Sequence, residues 1–236
     1  MLQTIALSKS FGEHQALNRL DLDIAPGEIF CMLGANGAGK TTTIKLLLGF
    51  LVPTSGRAIV GGIDVQADPA AARRNVLYLP EQVALYGELS GVENLAYFAG
   101  LAGVPERTPA RLHGWLEQAG MPAAAMARRA SGYSKGMRQK VAIALSIARQ
   151  ARALLLDEPT SGLDPQASAE FHQLLLRQRD AGAAVLMATH DLFRAREVAT
   201  TIGLMRDGRL LRTFAASDVT ARELEQLYLE AMGIAE

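Results

Sequence analysis

Apolar and polar positions divide this chain into short apolar runs of strand length and longer segments with helical spacing. Residues 4–7 and 20–24 alternate or cluster apolar side chains, and Pro26-Gly27 breaks the second run. Residues 28–33 form an apolar run ending at Gly34, the profile of a buried strand. Residues 41–48 have helical character and stop at Gly49, after which Pro53 and Thr54-Ser55-Gly56 mark a turn. Residues 75–79 predict another strand, ended by Pro80.

The middle predicts helices. Ser90 and Glu93 have capping-box spacing before an apolar helix reaching about residue 101. Thr108-Pro109 offers an N-cap and a first-turn proline for a helix running to 118, with Gly120 just beyond. Residues 134–149 predict a long helix, apolar on more than one side between 141 and 148. Strand-like runs then return at 153–156 and 184–188, separated by a helix from Asp164-Pro165 to about 180. A helix over 192–198 precedes a hairpin, 202–205 and 209–214 around Asp207-Gly208, and a terminal helix over 218–232. The alternation predicts an α/β fold: a mainly parallel sheet flanked by helices, with an N-terminal antiparallel β portion. We expect one domain over 1–236, with a core of 1–87 and 150–236 and an inserted helical lobe at about 88–149.

Composition narrows the class. Of 236 residues 49% are apolar, enough for a substantial core. Lys+Arg and Asp+Glu both number 24, so no global charge bias calls for nucleic acid. The one cysteine, Cys31, cannot form an internal disulfide or a cysteine-rich metal site, and lies in an apolar stretch expected to be buried. The N-terminus lacks a signal-peptide pattern, and no apolar run approaches the roughly 18–20 residues that span a bilayer. The expectation is a soluble, cytoplasmic chain that acts at a membrane only through a partner.

Candidate chemistry begins at Gly34-Ala35-Asn36-Gly37-Ala38-Gly39-Lys40-Thr41, which fits G-x-x-x-x-G-K-[ST] between a predicted strand and a predicted helix. Glycines let the backbone wrap phosphates with N–H groups inward, and the helix adds its positive end. Lys40 is expected to reach the β- and γ-phosphates, and Thr41 to hold Mg²⁺ through its hydroxyl; Thr42 joins the nucleotide contacts. Such a loop needs an acidic partner. The apolar run 153–156 ends in Asp157, followed at once by Glu158. Two adjacent carboxylates repel unless a metal compensates one, which leaves the other free to orient or deprotonate water. Asp157 is assigned to Mg²⁺ and Glu158 to the water.

The discriminating stretch is Tyr133-Ser134-Lys135-Gly136-Met137, upstream of Asp157 and opening a helix. Here the chain resembles the ABC ATPase family, whose signature begins Leu-Ser-Gly-Gly-Gln. Ser134 and Gly136 match; Tyr133, Lys135 and Met137 depart. Ser161-Gly162-Leu163-Asp164 looks like the family's D-loop, His190 matches its switch histidine, and Phe11 stands where an aromatic stacks on adenine. A core phenylalanine is the other reading of Phe11. His14, His113 and His172 match nothing and are read as surface or partly buried. In the Q-loop, Glu81 rather than Gln82 occupies the glutamine's usual position, and either residue could approach Mg²⁺ or the attacking water. Leu79-Pro80-Glu81 with Leu85-Tyr86, and the Tyr-Ser-Lys-Gly-Met signature, are similar to ATPase subunits of ABC-2-type exporters.

The resemblance implies an ATP-hydrolysing subunit that powers a membrane transporter. Two copies, or one copy with a related subunit, would dimerise head to tail, each ATP lying between one P-loop and the other chain's Ser134, Lys135 and Gly136. Residues 83–101 would face a multi-span permease and so attach the chain to the inner face of the cell membrane. The competing readings are a soluble ABC ATPase of DNA repair or translation, and a P-loop GTPase or small-molecule kinase. The former typically carries two cassettes or a coiled-coil insertion, and the latter would leave residues 134–136 unexplained.

Overall fold

A computed structural model describes residues 1–234. Two compact units make up the chain: Met1–Tyr78, Arg152–Glu158 and the chain from Gln178 onward form the first; Leu79–Ala151 and Pro159–Arg177 form the second.

In the first unit, β1 (Leu2–Phe11) and β2 (His14–Ile24) form an antiparallel hairpin, followed by β3 (Ile29–Leu33) and α1 (Lys40–Leu47). Then come β4 (Ser55–Val60), β5 (Ile63–Asp64), α2 (Pro69–Arg74) and β6 (Val76–Leu79), whose last residue opens the second unit. The second unit holds α3 (Gly91–Leu101), α4 (Pro109–Gln118), α5 (Ala123–Met126) and α6 (Lys135–Arg149). The chain returns to the first unit with β7 (Ala153–Asp157), and α7 (Pro165–Asp180) spans the second unit and ends in the first. The first unit closes with β8 (Ala184–Thr189), α8 (Leu192–Val198), β9 (Thr201–Arg206), β10 (Arg209–Ala215) and α9 (Ala221–Met232).

Two sheets build the first unit: a four-stranded one ordered β2-β1-β4-β5 and a six-stranded one ordered β10-β9-β3-β8-β7-β6. In the larger sheet β3 runs parallel to β8 and β9, and β7 parallel to β8. Every residue of β3, β7 and β8 is buried, which is why these strands are continuous apolar runs instead of alternating ones. β9 and β10 join through Asp207 at φ 48° and Gly208 at φ 73°, the left-handed pair that a tight hairpin turn needs. A core including Ile24, Phe30, Met32, Ile44, Leu155 and Leu186 unites the strands with α1.

In the second unit α3 and α4 pack on α6. Ser90 caps α3 in a reciprocal box: its hydroxyl accepts from Glu93 N, and Glu93 Oε2 accepts from Ser90 N at 2.7 Å. No helix of the described residues is long and apolar enough to cross a membrane.

Candidate functional site

The glycine-rich loop leaves the C-terminal end of β3 and enters α1. Gly34 permits a close approach, since a β-carbon there would lie 2.3 Å from the Met205 carbonyl oxygen. Gly39, the N-cap of α1, combines φ 105° with a β-carbon position 2.6 Å from the Ala16 carbonyl oxygen. Gly37 has φ 85°, and with Ala35 and Asn36 it forms an exposed rim, while Ala38 and Gly39 are buried. The N-terminus of α1 has no side-chain cap and no acidic residue in its first turn. Its first N–H groups thus lack an internal acceptor and point toward an anion site.

Lys40 is 6% exposed. Its ammonium donates to the carbonyl oxygens of Gly34 at 2.6 Å and Ala35 at 3.1 Å, folded back over its own loop. Beside it, the Thr41 hydroxyl donates to Asp157 Oδ2 at 2.8 Å, with Oδ1 at 3.1 Å. Thr42, next on α1, is half-buried. Burial pushes the Asp157 carboxyl above the ordinary carboxylate range; the Thr41 hydroxyl opposes that shift, Glu158 reinforces it, and Lys40 and Lys45 also oppose it.

Glu158 follows β7 with φ 46°, a left-handed backbone that a non-glycine residue adopts at a cost of about 1–3 kcal/mol. Its N–H donates to the Ala188 carbonyl at 2.9 Å, tying the turn to β8. Its Oε1 lies 3.6 Å from Lys40 Nζ, and its Oε2 3.0 Å from Nδ1 of His190, just beyond β8. One carboxylate is thereby aimed between a buried lysine and a half-exposed histidine. Thr41 and Asp157 offer hard oxygen donors suited to Mg²⁺. Among the described residues no group of three or more His, Cys, Asp and Glu side chains could hold a metal. An ion at this place would complete its shell with phosphate oxygens and water, as Mg²⁺ characteristically does.

Phe11, at the end of β1, is 48% exposed instead of packed in the core, and Lys9 Nζ lies 5.0 Å from its ring centroid. The Lys9 ammonium also donates to the Val52 carbonyl at 2.8 Å. Nothing in the local sequence pattern singles out Lys9.

The remaining candidates belong to the second unit. Ser134 is the N-cap of α6, its hydroxyl accepting from Met137 N. Gly136 lies where a β-carbon would meet Ala167 Cβ at 3.4 Å. Lys135 donates to the Ser161 carbonyl. Glu81 and Gln82 are both exposed, and Glu81 Oε1 accepts from the Ser161 hydroxyl at 3.3 Å. The departure at Tyr133 has a physical reason: its phenol donates to Ala125 O at 2.6 Å and accepts from Gly91 N at 3.0 Å, joining the start of α6 to α5 and α3. A phenol does this where an aliphatic side chain cannot, and no local sequence pattern marks it.

The chain matches the profile described as ABC transporter over residues 17–161. It belongs to the ABC transporter family. The probable multidrug ABC transporter ATP-binding protein YbhF of Escherichia coli (strain K12) is 33% identical over 222 residues, covering 94% of this chain and 38% of that protein. The chain therefore spans well under half the length of that relative. The uncharacterized ABC transporter ATP-binding protein YxlF of Bacillus subtilis (strain 168) is 34% identical over 211 residues, covering 89% of this chain and 69% of the relative. A solved structure described as an ATP-binding subunit of an ABC transporter superposes with a TM-score of 0.84 at 27% identity, covering 98% of this chain and 99% of that one. The fold is accordingly that of an ABC ATPase cassette, a P-loop NTPase core with helices flanking the sheet.

Proposed function

We propose that this chain is the ATP-binding and ATP-hydrolysing subunit of a membrane transporter of ABC-2 exporter type. The observation that carries the reading is the convergence of Lys40, Thr41, Asp157, Glu158 and His190 around one uncapped helix N-terminus.

Loop N–H groups and the α1 terminus bind the triphosphate, with Gly34, Gly37 and Gly39 shaping the cradle. Lys40 exchanges the Gly34 and Ala35 carbonyls for phosphate oxygens when nucleotide arrives. Thr41 and Asp157 would hold Mg²⁺, which supplies charge neutralisation along the phosphate chain. Glu158 accepts the proton of the attacking water while His190 orients it against the terminal phosphate. The Phe11 ring offers a shelf for adenine. A second copy, or a related subunit, completes the site with its Ser134, Lys135 and Gly136.

The partner in the membrane meets residues 83–101. Tyr86 and Tyr97, 51% and 43% exposed, stack edge to face with centroids 5.0 Å apart, and Leu101 beyond them is 71% exposed. An aromatic patch that a folded chain leaves exposed marks a surface for a partner to cover. That partner is the permease, which holds the subunit at the inner face of the membrane.

The test is Mg²⁺-dependent ATP turnover by the purified chain and by Glu158→Gln. The variant should bind ATP, lose nearly all turnover and accumulate as a dimer; unchanged turnover refutes the assignment. Isolation of the native complex should bring down a multi-span membrane protein, whereas ribosomes or DNA would favour the soluble alternative.

A further inference from the structure

Glu81 and Lys135 are the two positions where the chain departs from the Q-loop and signature patterns with a charged side chain, and both reach the same residue. The Ser161 hydroxyl donates to Glu81 Oε1 at 3.3 Å, and the Lys135 ammonium donates to the Ser161 carbonyl oxygen. The contacts span 80 and 26 residues of sequence, yet all three groups line one depression of about 600 Å³. A third tie lies two residues upstream, where Gln139 Nε2, wholly buried on α6, donates to the Pro159 carbonyl.

We infer that Glu81 and Lys135 are positioning residues that clamp the loop at Ser161, one through its hydroxyl and the other through its carbonyl, and that this clamp holds the chain immediately after Glu158. The loop's own backbone provides little support: Leu163 N donates to Thr160 O at 3.2 Å, and Gly162 stands at φ 68° with open space around it. Glu158 itself has φ 46°, a conformation that persists only where neighbouring bonds over-determine it. Chain connectivity transmits the clamp: three peptide units separate Ser161 from Glu158, and Gln139 pins the middle one through the Pro159 carbonyl. Gln at 81 would offer a weaker, neutral acceptor, and Gly at 135 none of the reach, so the two departures make one device. On this account Glu81 acts through Ser161 and not on the reacting atoms.

The experiment is a double-mutant cycle on the full chain with two readouts. The first is amide exchange of peptides covering residues 159–164, which does not depend on the proposed activity. Glu81→Ala and Ser161→Ala should each speed exchange about fivefold, the effect of losing one ordinary hydrogen bond, and together no more than either alone. Lys135→Met should speed it similarly, and Lys135→Arg should leave it near wild type. Unchanged exchange in Glu81→Ala, or effects that multiply in the double variant, overturns the clamp. The second readout is ATP turnover, and it rests on the reading of Glu158 given above. Glu81→Ala should lower kcat with little change in KM, Glu81→Gln should recover part of it, and Glu81→Ala should cost nothing further on the Ser161→Ala background. An equal loss on both backgrounds means that Glu81 acts on the reaction directly and overturns the proposal. If the wild-type chain turns over no ATP, the functional reading fails while the exchange cycle still decides the clamp.

Discussion

Lys40 Nζ lies 3.6 Å from Glu158 Oε1 while bonded to two carbonyls of its own loop. The ammonium is the cation that lies between the glycine-rich loop and the carboxylate. Lys40→Met removes it, leaving the Gly34 and Ala35 carbonyls short of a donor and Glu158 without its lysine partner. ATP turnover should fall by about 10²–10³-fold. Unfolding in the nucleotide-free state should become easier by about 1–3 kcal/mol. Wild-type turnover would remove the glycine loop from the site.

Asp157 gives stability a pH dependence of definite sign. Burial first, and Glu158 beside it, raise its folded pKa above the unfolded value. The native state thus holds its proton to higher pH than the unfolded chain does. The stabilisation is fully present below about pH 4, the unfolded value, and is lost as pH rises through the raised folded pKa. Asp157→Asn should remove that slope and make the nucleotide-free chain more stable at neutral pH, while abolishing Mg²⁺-dependent turnover. Thermal unfolding at a series of pH values measures it; a variant with the wild-type slope would refute it.

Gly39 combines a left-handed φ of 105° with a β-carbon position 2.6 Å from the Ala16 carbonyl oxygen. A backbone atom cannot swing aside as a side-chain tip can. Gly39→Ala should therefore cost about 2 kcal/mol or more and displace the N-terminus of α1, so that denaturant midpoint and ATP affinity fall together. Gly37→Ala, at φ 85° but with open space around it, should cost less.

What the sequence made legible follows from local constraint. The loop 34–41 has fixed spacing because phosphate wrapping demands it, and Asp157 announced itself by ending an all-apolar run. The Ser90–Glu93 box and the Thr108-Pro109 helix start were legible because caps are local chemistry. β4 and β5 were not: β4 exposes its first three residues, so it lacks alternation, and β5 has only two residues. β1 and β2 extend beyond the apolar runs at 4–7 and 20–24 because bulges near Ala6 and Arg19, both at positive φ, break the period-two pattern. His172, expected at the surface or partly buried, is 5% exposed on α7. The meeting of Glu81 and Lys135 at Ser161 depends on tertiary placement, which no spacing encodes.

Phe11 supplies a test that separates binding from folding. Its ring is 48% exposed, and the Lys9 ammonium sits 5.0 Å from its centroid. A half-exposed ring contributes little to the core, so Phe11→Ala should shift stability by less than about 1 kcal/mol. If the ring carries adenine, loss of the stack weakens ATP by about 1–2 kcal/mol, roughly a tenfold rise in KM. The kcat at saturating ATP should stay near wild type, because the base lies away from the bond being broken. Phe11→Trp should keep or improve affinity. Steady-state turnover over a range of ATP concentrations reads both parameters, and an unchanged KM in Phe11→Ala would take the adenine off this ring.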